Sequence, residues 1–287
     1  MTHQIEITSA LEQNTFKGQD QPFSGETATK KKYFGVWDGH GSNSVITKLR
    51  EYASNGKLDE IMDQESPVEC ITNDLIREKV CKENECSGAT MNFGIIDGNF
   101  ITFINCGDSR MFVFCNGELK YTSTEHYWAN ERERDRLKSK NVRYSKFANI
   151  KITSLSEFIS VYSEYVHYSN GQSLALTQAI GHNNITGIDP EIFKMEFLPT
   201  DEIVAVAVTD GVTDMLITDS VNDIVKSDIE MLRDFSAEQL KNTIQARWTQ
   251  PWKMLEHKNE KNPQICSYSK EQCDDIGIAR LVMKPNK

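Results

Sequence analysis

Two dipeptides, Asp97-Gly98 and Asn116-Gly117, restrict what this chain can become more than any other feature in it. Each lies between two runs of apolar and β-branched residues. Such a pair is what a two-residue β-hairpin asks for, because its central positions need positive φ. The first joins 89–96 to 99–105, and the second joins 111–115 to Glu118–Thr122. Two hairpins in succession make an antiparallel meander, so the middle of the chain reads as sheet. Lys32–Trp37, Ile203–Val208 and 276–283 are further apolar runs of strand length.

Helical spacing fills the intervals. Residues 42–53 set Val45, Ile46, Leu49 and Ala53 on one face. Ser66-Pro67 reads as an N-cap followed by a proline in the first turn, opening a helix through Val68, Ile71 and Leu75. Ser236 and Gln239 have the spacing of a capping box ahead of Leu240, Ile244 and Trp248. The stretch from about 125 to 172 is polar, with a charge-dense helix over 131–140 that predicts a solvated face. Together these elements predict an α+β fold: a central antiparallel β-sandwich flanked by α-helices on both outer faces. The expectation is a single domain over 1–287 in which 125–172 varies.

A net charge of −10 over 287 residues argues against nucleic acid as the main partner, since gripping a phosphate backbone needs a basic surface. It leaves small phosphorylated groups open, because bound metal reverses the local sign. The first ten residues are polar and include Glu6, unlike a signal peptide or anchor, and the longest apolar run, 203–208, is too short for a bilayer. Seven scattered cysteines without a CxxC pair suggest reduced thiols. The expectation is an intracellular, cytoplasmic monomer that does not engage membranes.

The chemistry lies in where the acidic motifs fall. Asp38-Gly39-His40-Gly41 follows one strand, and Gly107-Asp108-Ser109-Arg110 lies between two. Asp210-Gly211-Val212-Thr213-Asp214 follows the apolar run 203–208, and Asp274-Asp275 precedes the last strand. Asp-Gly is also a common turn, and Asp97-Gly98 between two apolar strands is the internal control. After Gly41 and Asp214 the chain enters helical sequence instead, so those motifs do not behave as hairpins. Aspartates gathered at the mouth of a sandwich repel one another unless cations neutralise them. Hard oxygen ligands suit magnesium or manganese, and a glycine beside the aspartate lets a carbonyl approach the ion. Two such ions roughly 3.5–4 Å apart activate a water and hold a phosphoryl group. His40, beside Asp38, is placed to protonate a departing alkoxide.

These motifs, in this order, resemble the protein phosphatase 2C family of metal-dependent phosphatases. The likeness runs from about 20 to 282. It is carried by Phe34-Gly35-Val36-Trp37-Asp38-Gly39-His40-Gly41, Ser87-Gly88-Ala89-Thr90, Asn105-Cys106-Gly107-Asp108-Ser109-Arg110, Leu176-Thr177-Gln178-Ala179-Ile180-Gly181, Thr209-Asp210-Gly211-Val212-Thr213-Asp214 and Asp274-Asp275. The resemblance implies two Mn²⁺ or Mg²⁺ ions at one edge of two antiparallel sheets. It implies hydrolysis of phosphoserine and phosphothreonine in a protein substrate by direct attack of a water bridging the two metals. It further implies that Asp38 bridges both ions, that the Gly39 carbonyl binds one and that Asp210 and Asp274 bind the other. Asp108 and Asp214, with Asp210, match the holders of a weaker third ion. His40 matches the general acid, and Asp20 the N-terminal acidic residue near the metal waters.

Several positions depart from the family pattern. Thr15 stands where a phosphate-gripping arginine is expected, and Lys17 is the candidate substitute for phosphate binding, though an ammonium does not reproduce a bidentate guanidinium. On this reading Thr15→Arg lowers KM for a phosphopeptide. Gln19 stands for the usual acidic or amide residue before Asp20. Gln178 replaces an arginine and His182 an aspartate, both expected to touch scaffold more than chemistry. Asp275 replaces an asparagine and adds charge beside a metal ligand. The alternative reading is a catalytically weak pseudophosphatase acting as a binding or regulatory module; a third is a hydrolase of small phosphorylated molecules.

Overall fold

Strand Ile203–Val208 dictates the architecture around it. All six of its residues are buried; Ile203, Ala205 and Ala207 face one cluster, and Val204, Val206 and Val208 face another. A strand apolar on both faces needs cover on both, because each such side chain gains about 1.5–3 kcal/mol by leaving water. The computed structural model, which describes residues 3–16, 18–83, 85–152, 158–218, 223–254 and 264–286, supplies that cover with a second sheet on one side and helices on the other.

The first sheet runs, edge to edge, His3–Glu12, Ile276–Pro285, Ile203–Val208, Arg110–Cys115 and Glu118–Thr122, each neighbour antiparallel. The second runs Glu191–Glu196, Phe100–Cys106, Met91–Asp97, Lys32–Trp37 and Gln21–Glu26, also antiparallel throughout. Phe34, Val36, Ile101 and Phe103 of the second sheet meet Met111, Val113, Ala205 and Leu281 of the first to form the middle of the sandwich. The alternate residues Tyr33, Trp37, Phe93 and Ile95 pack outward against helices Ser44–Ser54, Lys57–Met62 and Pro67–Arg77. Phe112, Phe114, Val206 and Ile278 pack outward against Lys226–Asp234 and Ala237–Thr249. This is the four-layered sandwich that the sequence predicts.

Details differ where neighbours far along the chain decide. Both hairpins form. Asn116 and Gly117, at φ 52 and 82, make the expected turn, but the other turn is centred on Gly98-Asn99, since Asp97 pairs with Phe100. The first helix buries Tyr52 in place of Ala53. Ser66 precedes Pro67 as expected but makes no side-chain cap, whereas Ser236 and Gln239 make both bonds of theirs. Strands His3–Glu12, Gln21–Glu26 and Glu191–Glu196 lie outside the predicted set; all three are sheet edges, with polar residues on one face. In the polar segment the helix expected over 131–140 forms as Glu131–Leu137 followed by a 3₁₀ turn at Lys138–Lys140, but Glu133 is buried against Arg136, Thr177 and Gln178 instead of solvated, and Arg143–Ile152 and Phe158–His167 then pair as an unpredicted hairpin. Among the described residues no helix is long and apolar enough to cross a membrane.

Candidate metal centre

The ladder brings acidic residues from distant sequence to one end of the sandwich. Val208 pairs with Ile278, so Asp210, just beyond one strand, and Asp274, just before the next, leave the first sheet at the same end. Asp210 opens the short helix Asp210–Thr213, whose approach depends on Gly211: a Cβ there would lie 1.9 Å from the Asp275 carbonyl oxygen. Trp248 fixes the same turn, its Nε1 donating to the Gly211 carbonyl at 2.7 Å. Asp38 ends the second-sheet strand Lys32–Trp37; its N–H donates to Thr90 Oγ1 at 3.1 Å, and its carbonyl accepts from Thr90 N at 2.9 Å. Gly39 donates to the Gln19 carbonyl at 3.3 Å, which ties the Asp38 turn to the N-terminal loop.

That loop is built around Asp275. Its buried carboxylate accepts the N–H groups of Asn14, Thr15 and Gln19, each at 2.8 Å, and the Thr15 hydroxyl at 3.0 Å. Two of the departures from the family pattern are thus in contact with each other. Thr15 is turned into the scaffold, and Lys17 lies outside the described residues. Arg50 donates to the Gly18 and Asp20 carbonyls at 2.6 and 3.4 Å. Asp20, buried, accepts from Thr209 Oγ1 at 2.6 Å, and Thr209 Oγ1 in turn accepts from Gly277 N at 2.9 Å.

The carboxylates act on one another. Asp38 sits between Asp20 and Asp210 in this electrostatic network. Burial, then the negative charge of Asp210, Asp20 and Asp108, pushes its carboxyl well above the usual range. Asp210 is pushed up by burial and by the charges of Asp274, Asp108 and Asp214. Burial, chiefly, raises Asp274 to about 6 and Asp108 to about 7, with Glu125 and Asp214 adding to the latter. Tyr127 lies beside Asp108, whose buried Oδ1 has no hydrogen-bond partner among the described residues. Asp214 itself is exposed. Among the described residues no group of three or more His, Cys, Asp or Glu side chains stands at a spacing that could hold a metal ion.

Asp38, His40, Asp108 and Asp210 line one open cavity of about 290 Å³, walled opposite by Ser173, Leu174, Ala175 and Leu176. The structure therefore gathers Asp20, Asp38, Asp108, Asp210, Asp214 and Asp274 into one electrostatic cluster, with Gly39 and His40 on the same turn as Asp38. Sequence reasoning did not single out Thr209 or Tyr127. Thr209 was legible as the residue before Asp210 in a strand-to-helix turn, while nothing in the spacing marks Tyr127. Gln178 touches scaffold as expected, donating to Glu133 Oε1 at 2.6 Å. His182 packs, fully buried, over Gly88, and its Nε2 also lies 2.7 Å from Nε2 of His40.

The chain is thus a two-sheet sandwich with helices outside and a carboxylate cluster at one end. The sequence model of Protein phosphatase 2C matches residues 4–250, and the chain belongs to that family. Among its relatives, human Protein phosphatase 1B is 25% identical over 238 residues, spanning 70% of this chain and 44% of that protein. The chain thus spans less than half the length of that relative. In fold it is similar to serine-threonine phosphatase 2C from Toxoplasma gondii, with a TM-score of 0.58 at 13% identity over 99% of this chain and 95% of that one. It is also similar to the catalytic domain of the serine threonine protein phosphatase PstP, solved in complex with two manganese ions, with a TM-score of 0.51 at 12% identity over 98% of each chain.

Proposed function

We propose that this chain is a metal-dependent protein serine/threonine phosphatase. The observation that carries the reading is the convergence of Asp20, Asp38, Asp210 and Asp274, brought from both sheets into mutual repulsion beside a cavity that His40 also lines. A buried cluster of carboxylates that raise one another's pKa fits a site made for cations, and the donors are hard oxygens. The partnerless Asp108 Oδ1 supports the same fit. Asp38, Asp210, Asp274 and the Gly39 carbonyl would hold two Mn²⁺ or Mg²⁺ ions, with Asp108 and Asp214 serving a weaker third. Bound there, the ions would offset the acidic charge, lower the pKa of water and polarise the phosphoryl group.

The chain's own groups do the rest. Asp20, oriented by Thr209, accepts a proton from the attacking water. His40, on the cavity wall, protonates the serine or threonine oxygen as it leaves, a contribution typically worth about 10²–10⁴ in rate. The substrate is a phosphorylated protein. A second reading, a weak pseudophosphatase, is favoured by the Thr15 hydroxyl being bound to Asp275 where a phosphate grip is expected.

Manganese titration of p-nitrophenyl phosphate and phosphopeptide hydrolysis separates the two. Turnover that rises with Mn²⁺ and falls at least about a hundredfold in Asp38→Asn and Asp210→Asn is expected. Folded protein that binds Mn²⁺ without turnover would establish the binding module instead.

A further inference from the structure

The contact between His182 and His40 is built into the backbone. Their Nε2 atoms lie 2.7 Å apart and their rings stack, centroids 4.8 Å apart and planes 24° from parallel. His182 opens a run of three non-glycine residues with positive φ, at 48, 51 and 59, a conformation L-residues avoid unless their surroundings impose it. Its ring fills the space above Gly88, where a Cβ would come within 2.2 Å of Nε2, and Gly88 is the residue that pairs with His40 across the strands. The residue is 0% exposed, and Nδ1 has no hydrogen-bond partner among the described residues.

A neutral imidazole has one N–H and one lone pair. A short N···N contact needs one of each across it, so the two Nε2 atoms cannot both carry a proton or both lack one. Whichever ring donates, the other presents its lone pair at Nε2 and carries its proton on Nδ1, so the tautomers of the two rings are coupled. As an acid His40 is an imidazolium with both nitrogens protonated, and its Nε2–H then donates to the Nε2 lone pair of His182.

We propose that His182 is a positioning residue for His40, stacking on and hydrogen-bonding its ring so as to set which nitrogen bears the proton and how the ring faces the cavity. This rests on the reading of His40 as the group that protonates the leaving oxygen. The residue that takes the place of an expected aspartate is on this account a working partner of the acid.

The test uses substrates that differ in their need for that acid. Nitrophenolate departs unprotonated, whereas a serine alkoxide does not. His182→Asn keeps a residue that tolerates positive φ while withdrawing the ring. It is expected to lower kcat on a phosphoserine peptide about tenfold, leaving KM and the p-nitrophenyl phosphate rate within about twofold. His182→Gln, whose amide reaches the position of Nε2, should recover part of the loss, and His182→Asn should add nothing to His40→Ala. Equal losses on both substrates, or additive losses in the double variant, overturn the proposal. The ¹⁵N imidazole spectrum of Mg²⁺-loaded protein checks the contact without turnover: His40 resonances should shift in His182→Asn, and an unchanged His40 spectrum refutes it. If His40→Ala leaves the phosphopeptide rate intact while that shift is seen, the acid assignment has failed and the contact has not.

Discussion

The carboxylate of Asp275 receives three backbone N–H groups and one hydroxyl from the loop that carries Asp20. Hydrogen bonds to a charged acceptor contribute about 1.5–3 kcal/mol, so Asp275→Asn should lower unfolding free energy by roughly that amount in a urea titration. The same geometry changes what Thr15→Arg should do. A guanidinium at 15 meets Asp275 before it meets substrate, so the single variant is expected to leave KM for a phosphopeptide unchanged. Thr15→Arg with Asp275→Asn should lower KM severalfold, and steady-state kinetics on both variants decide it. At this scale the aspartates were readable because each adjoins a strand end within its own motif. The partners of Thr15 and His182 were not, since one lies 260 residues away and the other depends on a left-handed turn that no residue pattern announces.

Among the elements, the turn from Ile203–Val208 into Asp210–Thr213 has least room. Gly211→Ala would drive a Cβ into the Asp275 carbonyl, which can yield only by parting Asp210 from Asp274. Loss of metal-stimulated turnover and a lowered Tm are expected. Gly117→Ala is the comparison: it carries a cost of positive φ, about 1 kcal/mol, that Gly211 does not, but meets nothing within 4 Å, and should keep activity. Strands buried on both faces were legible as unbroken apolar runs, and the hairpins as turn residues between them. Edge strands such as His3–Glu12 were not, because half their side chains face water and their pairing is set by a partner at the far end of the chain.

For the whole molecule, the acidic cluster sets how stability depends on pH. Asp274 at about 6 and Asp108 at about 7 bind protons more tightly folded than unfolded, where an aspartate lies near 3.8. Their contribution is complete below that unfolded value and is lost as pH rises through 6 and 7. Metal-free protein should therefore lose Tm between pH 5 and pH 8, with a tenfold change in proton affinity worth about 1.4 kcal/mol, or roughly 2–4 °C at this size. Mn²⁺ should remove most of that fall, and Asp108→Asn should flatten it without metal. A scanning fluorimetry series across pH, with and without Mn²⁺, reads both. A Tm that climbs steadily to pH 8 in the metal-free protein would contradict the cluster.

Strand Ile276–Pro285 is wedged between His3–Glu12 and Ile203–Val208, so the earliest and latest stretches of the sandwich are hydrogen-bonded to each other. During synthesis strand His3–Glu12 must wait for its neighbour until the residues between them have been made, and Asp274 arrives with that neighbour. Contacts this remote in sequence close slowly. Through the synthesis of those intervening residues the sheet keeps an unfilled slot between His3–Glu12 and Ile203–Val208, where chaperones or stray strands can dock, and the acidic cluster is completed only when Ile276–Pro285 fills it.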